Sequence, residues 1–162
     1  MGQSLLKIVK VESNEHLEQV KKLILEYVSW LGIDLSFQGF DEEFAQLPGS
    51  YAPPDGRLLL VLYDNHPAGC VGLRAMGAGI CEIKRMYVRP AFRGKGIGWA
   101  LANTIIKEAK KIGYTRIRLD TGDIMEGAKS LYCSLGFKEI EPYYDVPDEF
   151  RPRMTFMELF LK

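Results

Sequence analysis

The stretch from residue 80 to 112 constrains the fold most, because a strand pattern, a glycine-rich turn and a helix pattern follow one another directly. Ile80 to Val88 reads as a strand, and Pro90 closes it. Arg93-Gly94-Lys95-Gly96-Ile97-Gly98 comes next. From Gly96 to Ile112 the apolar spacing becomes helical, with Ile97, Leu101, Thr104, Ile105, Ala109 and Ile112 on one face and Gly113 as the cap. Thr115 to Asp120, with alternating Ile117 and Leu119, supplies a following strand, so the segment predicts a βαβ crossover. Glycines at alternate positions let a backbone approach a ligand without Cβ clashes. The helix that follows offers unpaired N–H groups and a positive dipole end. Such a turn is a ready anion site, most naturally for a pyrophosphate.

The rest of the chain fills in around this unit. Val9 to Val11 ends a first strand, Ser13 offers an N-cap, and Leu17, Val20, Ile24, Tyr27, Val28 and Leu31 recur at helical spacing up to Gly32. Asp41 to Leu47 predicts a short second helix, and Tyr51 to Gly56 a loop. Arg57 to Tyr63 and Ala68 to Arg74 read as a hairpin about the turn Asp64-Asn65-His66-Pro67, and Ala75 to Gly79 is the next turn. After the crossover come a helix from about Met125 to Leu135, a strand at Phe137 to Ile140, a loop rich in Tyr, Pro and Asp, and a strand at Met154 to Leu161. The expected fold is one mixed α/β domain over 1–162, with a central, mostly antiparallel sheet of about six or seven strands and about four helices.

Composition narrows the function classes. With 162 residues, 47% of them hydrophobic, the chain can bury a single core. Its 21 basic and 21 acidic side chains cancel, which argues against a general nucleic-acid binder. Cys70, Cys81 and Cys133 fit neither a metal site nor a disulfide scaffold and read as small buried hydrophobes in a reducing cytoplasm. The N-terminal MGQSLLKIVK lacks a signal-peptide apolar run and departs from the myristoylation pattern at its sixth position, and no apolar run spans a bilayer. The expectation is a cytoplasmic protein without metal, membrane or nucleic-acid partner.

Lys84, Arg85, Arg89, Arg93 and Lys95 crowd the glycine turn in sequence, which suits a ligand carrying several phosphates. The turn is not a Walker loop, since Gly96 follows Lys95 where Ser or Thr is needed. Nor is it a dinucleotide fingerprint, whose glycine spacing is G-x-G-x-x-G. The plain alternative is a glycine-rich connection with solvated basic residues.

Arg93-x-x-Gly96-x-Gly98 after the strand Glu82 to Val88 resembles the acetyl-CoA signature of the GNAT acetyltransferases. Ala128-Lys129-Ser130-Leu131-Tyr132-Cys133-Ser134-Leu135-Gly136-Phe137 is similar to the family's second signature, and the element order matches over almost the whole chain. The resemblance implies a transferase that moves an acetyl group from acetyl-CoA to a primary amine of a small molecule or peptide, by direct attack in a ternary complex. It implies that Met86 and Val88 bond the pantetheine arm as an added strand would. Backbone N–H groups of Arg93, Gly94, Lys95, Gly96, Ile97 and Gly98 would hold the pyrophosphate, and an N–H near Met86 or Tyr87 would polarise the thioester carbonyl. The run Asp120-Thr121-Gly122-Asp123 departs from the family, which often has Asn there. The resemblance also admits a homodimer, though no residue marks an interface.

An alkylamine with a pKa of about 10.4 costs roughly 4–5 kcal/mol to deprotonate at neutral pH, and a thiolate leaving group gains from a proton donor. The resemblance makes Tyr132 the candidate acid; the alternative is a core tyrosine with a hydrogen-bonded hydroxyl. Glu82 is the candidate base, read as sharing a strand face with Lys84, Met86 and Val88; the alternative is an ion pair with a neighbouring Lys or Arg. His16 and His66 read as surface residues, and Asp120 as a strand-end cap or turn residue, the alternative being that it faces the site. Tyr27, Trp30, Phe37, Tyr51, Tyr143, Tyr144, Phe150 and Arg151 are the acceptor-pocket candidates, with Arg151 or Arg153 available to an acceptor carboxylate. The rival functions are a non-catalytic acyl-CoA-binding sensor on the same fold and a nucleotide-binding module of another fold.

Overall fold

The structure is a computed structural model that describes residues 5–32, 34–123 and 127–161. Its elements run β1 (Leu6–Lys10), α1 (Asn14–Leu31), α2 (Phe40–Ala45), β2 (Arg57–Tyr63), β3 (His66–Gly77), β4 (Ile80–Val88), α3 (Ile97–Ile112), β5 (Arg116–Gly122), α4 (Ala128–Ser134), β6 (Lys138–Ile140) and β7 (Met154–Phe160). The expected start of the last helix, Met125, lies outside the described residues. Helix α1 begins where the Ser13 hydroxyl accepts from the His16 N–H at 3.1 Å, and ends at Gly32 with φ +67°.

One seven-stranded sheet has the order β1-β2-β3-β4-β5-β7-β6. All pairs are antiparallel except β4 with β5, which α3 joins as the crossover. Helix α3 covers one face: Leu101, Ile105 and Ala109 pack with Leu59, Val61, Ile83 and Ile117. Helix α1 covers the other, where Val20, Leu23 and Ile24 pack with Leu58, Leu60 and Cys70. A central strand buried on both faces explains the unbroken run Leu58-Leu59-Leu60-Val61. Cys70 and Cys81 are buried as expected, and burial pushes both thiols up to about 12. Cys133 is exposed, contrary to expectation, because the short α4 buries only Tyr132.

Two departures from regular pairing build the site. First, β4 and β5 pair only at Ile80↔Arg116, Cys81↔Ile117 and Glu82↔Arg118, after which β5 stays with β7 through Gly122. The strands therefore part along Ile83–Val88, opening the sheet toward their C-terminal ends. Second, the β3–β4 register passes from Gly72↔Lys84 to Cys70↔Tyr87, so Arg85 and Met86 together oppose Val71. This is a β-bulge, and Arg85 takes φ +59°, a left-handed conformation rarely adopted by a non-glycine residue. Side-chain alternation slips by one residue there. Lys84 and Arg85, adjacent in sequence, both reach the side-chain oxygen of Gln38, at 3.2 and 3.0 Å. Met86 and Val88 instead pack toward α3 with Ile83. The expectation that Glu82 shares a face with Met86 and Val88 is thus overturned, because period-two counting does not survive a bulge.

Candidate active site

The parted strands, the glycine turn and α4 enclose a groove of about 670 Å³. Met86, Tyr87, Val88, Arg93, Gly94, Gly96, Ile97 and Gly98 line it, as do Trp30, Gly127, Leu131 and Tyr132. Lys95 does not; its ammonium lies 5.3 Å from the centre of the Tyr63 ring. Gly94 and Gly96 have φ +81° and +78°, so the turn needs glycine for its backbone conformation, and no side chain caps the α3 N-terminus. Its first N–H groups are left to face the groove.

The basic cluster seen in sequence separates in space. The Arg85 guanidinium pairs with Glu43 through Nε–Oε2 and Nη2–Oε1 bonds of 2.8 and 2.9 Å. Lys84 turns to Asp120 at 3.4 Å, and Arg89 donates to Glu26 at 2.9 Å. Arg93 and Lys95 are the cations of the cluster with no carboxylate partner among the described residues; Arg93 lies 4.8 Å over the Trp30 ring and donates to the Val88 carbonyl at 3.0 Å. At the groove itself the positive charge is that of Arg93 and the helix end.

Behind the groove lies a second, more enclosed chamber of about 60 Å³. Met86 and Tyr132 are walls of both. Tyr132 is 3% exposed and packs edge-on against Phe137 with ring centres 5.4 Å apart. Burial pushes its phenol well above the ordinary range, with smaller upward contributions from Tyr27 and the Asp120 charge. Its hydroxyl makes no hydrogen bond among the described residues, and burial keeps its proton in place at neutral pH.

Asp120 is a wall of the inner chamber, not merely a strand-end cap. Its Oδ2 accepts from the Tyr144 hydroxyl at 2.7 Å and from Lys84 at 3.4 Å. The Gln38 amide donates to the Tyr144 oxygen at 3.0 Å. These bonds tie the turn at Leu35–Gln38 to the loop before β7, and Phe37 stacks on Phe150 with centres 5.6 Å apart across the same seam. Asp120 Oδ1 makes no hydrogen bond among the described residues, which leaves one carboxylate oxygen for a ligand.

Glu82 lies elsewhere. It is 3% exposed, bonded by Arg74 Nε at 3.1 Å and by the Tyr143 hydroxyl at 2.7 Å, with Lys84 at 3.8 Å. It borders a third, outer cavity of about 580 Å³ with Tyr143, Tyr144 and Arg74, and reaches neither the groove nor the inner chamber. The ion-pair alternative raised by the sequence describes its surroundings.

Comparison with known proteins decides the family. The model of the acetyltransferase (GNAT) family matches residues 22–137. The chain belongs to the GNAT acetyltransferase family. An uncharacterized N-acetyltransferase of Schizosaccharomyces pombe is 41% identical over 162 residues, covering 98% of this chain and 97% of that one. A GNAT-family acetyltransferase of Staphylococcus aureus superposes with TM-score 0.79 at 22% identity, over 97% of this chain and 99% of that one. The PaiA N-acetyltransferase of Thermoplasma acidophilum, solved in complex with coenzyme A, gives TM-score 0.72 at 24% identity over 96% and 99%. The protein is therefore an acetyltransferase, of a family whose general donor is acetyl-CoA.

Within this GNAT fold the aromatic candidates divide among the three cavities. Tyr27 and Phe150 line the inner chamber, Phe37 both that chamber and the outer cavity, and Trp30 the groove. Tyr143 and Tyr144 border the outer cavity, and Tyr51 is core, its ring so close to Gly72 that an added Cβ would sit 2.8 Å from it. Arg151 donates to the Val146 carbonyl and Arg153 to Asp123, away from the chamber. Sequence reading missed Gln38, which ends a short 3-10 turn and acts through three long-range hydrogen bonds, to Lys84, Arg85 and Tyr144. For Asp120 the signal was present, since it follows Leu119 on a half-buried strand. His16 and His66 line none of the cavities described above. Among the described residues no helix is long and apolar enough to cross a membrane, and no group of His, Cys, Asp or Glu could hold a metal ion.

Proposed function

We propose that the whole chain acts as one domain that transfers the acetyl group of acetyl-CoA to a primary amine by direct attack in a ternary complex. The observation that carries this reading is that Met86 and Tyr132 wall both the groove and the inner chamber, so a donor in one and an acceptor in the other meet at a shared partition. The groove fits the donor. Its glycine turn presents backbone N–H groups with Arg93 beside them, its strand edge at Met86–Val88 lacks a β5 partner, and its volume suits a long slender ligand. The fold likeness to a protein solved with coenzyme A supports the same assignment.

Acetyl-CoA supplies an activated thioester. The chain's own groups do the rest. Asp120 Oδ1 accepts a proton from the attacking nitrogen, while Lys84 and Tyr144 hold Oδ2 and fix the carboxylate's orientation. The backbone near Met86 and Tyr87 stabilises charge on the carbonyl oxygen. As the new C–N bond forms and the C–S bond breaks, Tyr132 gives its phenolic proton to the sulfur and regains one from solvent. Glu82 serves this reading as a positioning residue, holding Lys84 and Tyr143.

Isothermal titration with acetyl-CoA, CoA, ATP and NAD tests the donor. Binding of the two CoA compounds and not of ATP or NAD is expected. A folded protein that binds neither CoA compound would refute the assignment of the groove. A binding protein that releases no thiol with any amine would be the sensor alternative.

A further inference from the structure

We propose that the acceptor amine is carried on an unbranched alkyl arm, free of any carboxylate next to the nitrogen, and that Leu31 helps set this selectivity. The inference rests on the acetyl-transfer reading and names its substrate class. Three observations converge on it.

The first is size. The chamber is small, about 60 Å³ where a single water needs on the order of 10–15 Å³, so it suits a slender group. An amine nitrogen on a short run of methylenes is such a group. The second is the character of the wall. Tyr27 and Leu31 come from α1, and Ile83 and Leu119 from the sheet, all on regular packed elements. That side does not yield cheaply to a ring or a branch, because close-packed interiors resist added volume, and the turn and loop residues Leu35, Phe37 and Phe150 close the other side.

The third is charge. Both cations bordering the chamber are already occupied. Arg85 is held bidentately by Glu43, and the Lys84 ammonium faces Gln38, Asp120 and Glu82. An acceptor carboxylate beside the amine would therefore meet no free cation, and it would lie next to Asp120. Asp120 Oδ1, in contrast, suits an ammonium. This turns the reading away from α-amino acids, which Arg151 or Arg153 would have served; the former donates to a backbone carbonyl and the latter to Asp123.

The test is a thiol-release assay of the full chain with acetyl-CoA and a panel of propylamine, butylamine, isopropylamine, benzylamine, alanine and Nα-acetyl-lysine methylamide. The unbranched amines are expected to exceed isopropylamine, benzylamine and alanine by about tenfold or more in kcat/KM. Nα-acetyl-lysine methylamide carries the same arm on a peptide body. Its rate relative to butylamine tells whether the natural amine is free or peptide-borne, and activity with either supports the arm. Equal or better rates with the branched or aromatic amines, or with alanine, overturn the proposal while leaving acetyl transfer intact. No release with any amine removes the acetyl-transfer reading as well.

Leu31→Ala removes three carbons from the wall and should shift the benzylamine-to-propylamine ratio of kcat/KM upward by about tenfold or more, since one methylene in a hydrophobic site is already worth about that much. Unchanged acetyl-CoA affinity in the same variant reports that the fold is intact. An unmoved ratio with intact donor binding removes Leu31 from the wall that selects.

Discussion

Tyr132→Phe is expected to lower kcat for acetyl transfer by about 100-fold or more, the span usual for loss of a general acid, while acetyl-CoA binding stays as it was. The substitution deletes one oxygen. The ring keeps its place against Phe137, and the apolar contacts of α4 are unaltered. What disappears is the only phenol, among the described residues, common to the groove and the inner chamber. Because burial holds that phenol protonated far above neutrality, the wild-type rate should show no loss from Tyr132 ionisation below the ordinary tyrosine value of about 10. Thiol release across pH, with calorimetric titration of acetyl-CoA on the same samples, checks both statements. A variant with unchanged kcat would mean that the leaving sulfur takes its proton elsewhere. Reduced acetyl-CoA affinity in step with kcat would assign the hydroxyl to binding.

The second large effect is on stability. Glu43→Ala should cost about 3–5 kcal/mol, because it strands the Arg85 guanidinium in the interior. The Arg85 side chain is 3% exposed and that of Glu43 8%, and their two hydrogen bonds are near-ideal in length. For a chain of this size the melting temperature should fall by roughly 6–20 °C. The pH dependence has a definite sign. Burial by itself would raise the Glu43 carboxyl, but the bonds and charge of Arg85 override it and hold the group below the ordinary carboxylate range. A depressed carboxyl contributes fully above the unfolded value of about 4.3, and that contribution is lost as pH falls through the lower native value. The gap between wild type and Glu43→Ala should therefore be constant near neutrality and close in acid. Urea titrations at several pH values measure it, and a gap that widens in acid would contradict the assignment. Glu43→Leu combined with Arg85→Met should recover much of the loss, since removing both charges leaves neither unpaired.

This pair also bears on the inner chamber. Arg85 and Lys84 both hold Gln38, which holds Tyr144, which holds Asp120. Weakening the pair should loosen a wall of the inner chamber before it touches the groove.

The sequence by itself determined the layers of this protein. Helix α1 was legible between Ser13 and Gly32, and α3 between Gly96 and Gly113, because caps and 3.6-residue spacing are local signals. Strands β2 and β4 were legible to the residue, as runs of buried side chains bounded by turns. The glycine turn announced the groove, since backbone conformation there admits few residues but glycine. Family membership followed from two motifs in the right order, and the family match bears it out.

Tertiary structure alone decided which side chains meet. Glu82, Lys84 and Met86 lie at alternate positions, yet the bulge at Arg85 sends Met86 to the opposite face, and Glu82 borders the outer cavity and not the groove. Five cations adjacent in sequence disperse to partners on four other elements or turns, leaving two of them without a carboxylate partner. Gln38, Asp120 and Tyr144 come from a turn, a strand and a loop to form one hydrogen-bonded chain. Periodicity reports the neighbours a residue has along its own element. A bulge, a parting of strands or a bond between distant loops is an interaction between elements, and its energy is assigned only when the chain has closed on itself.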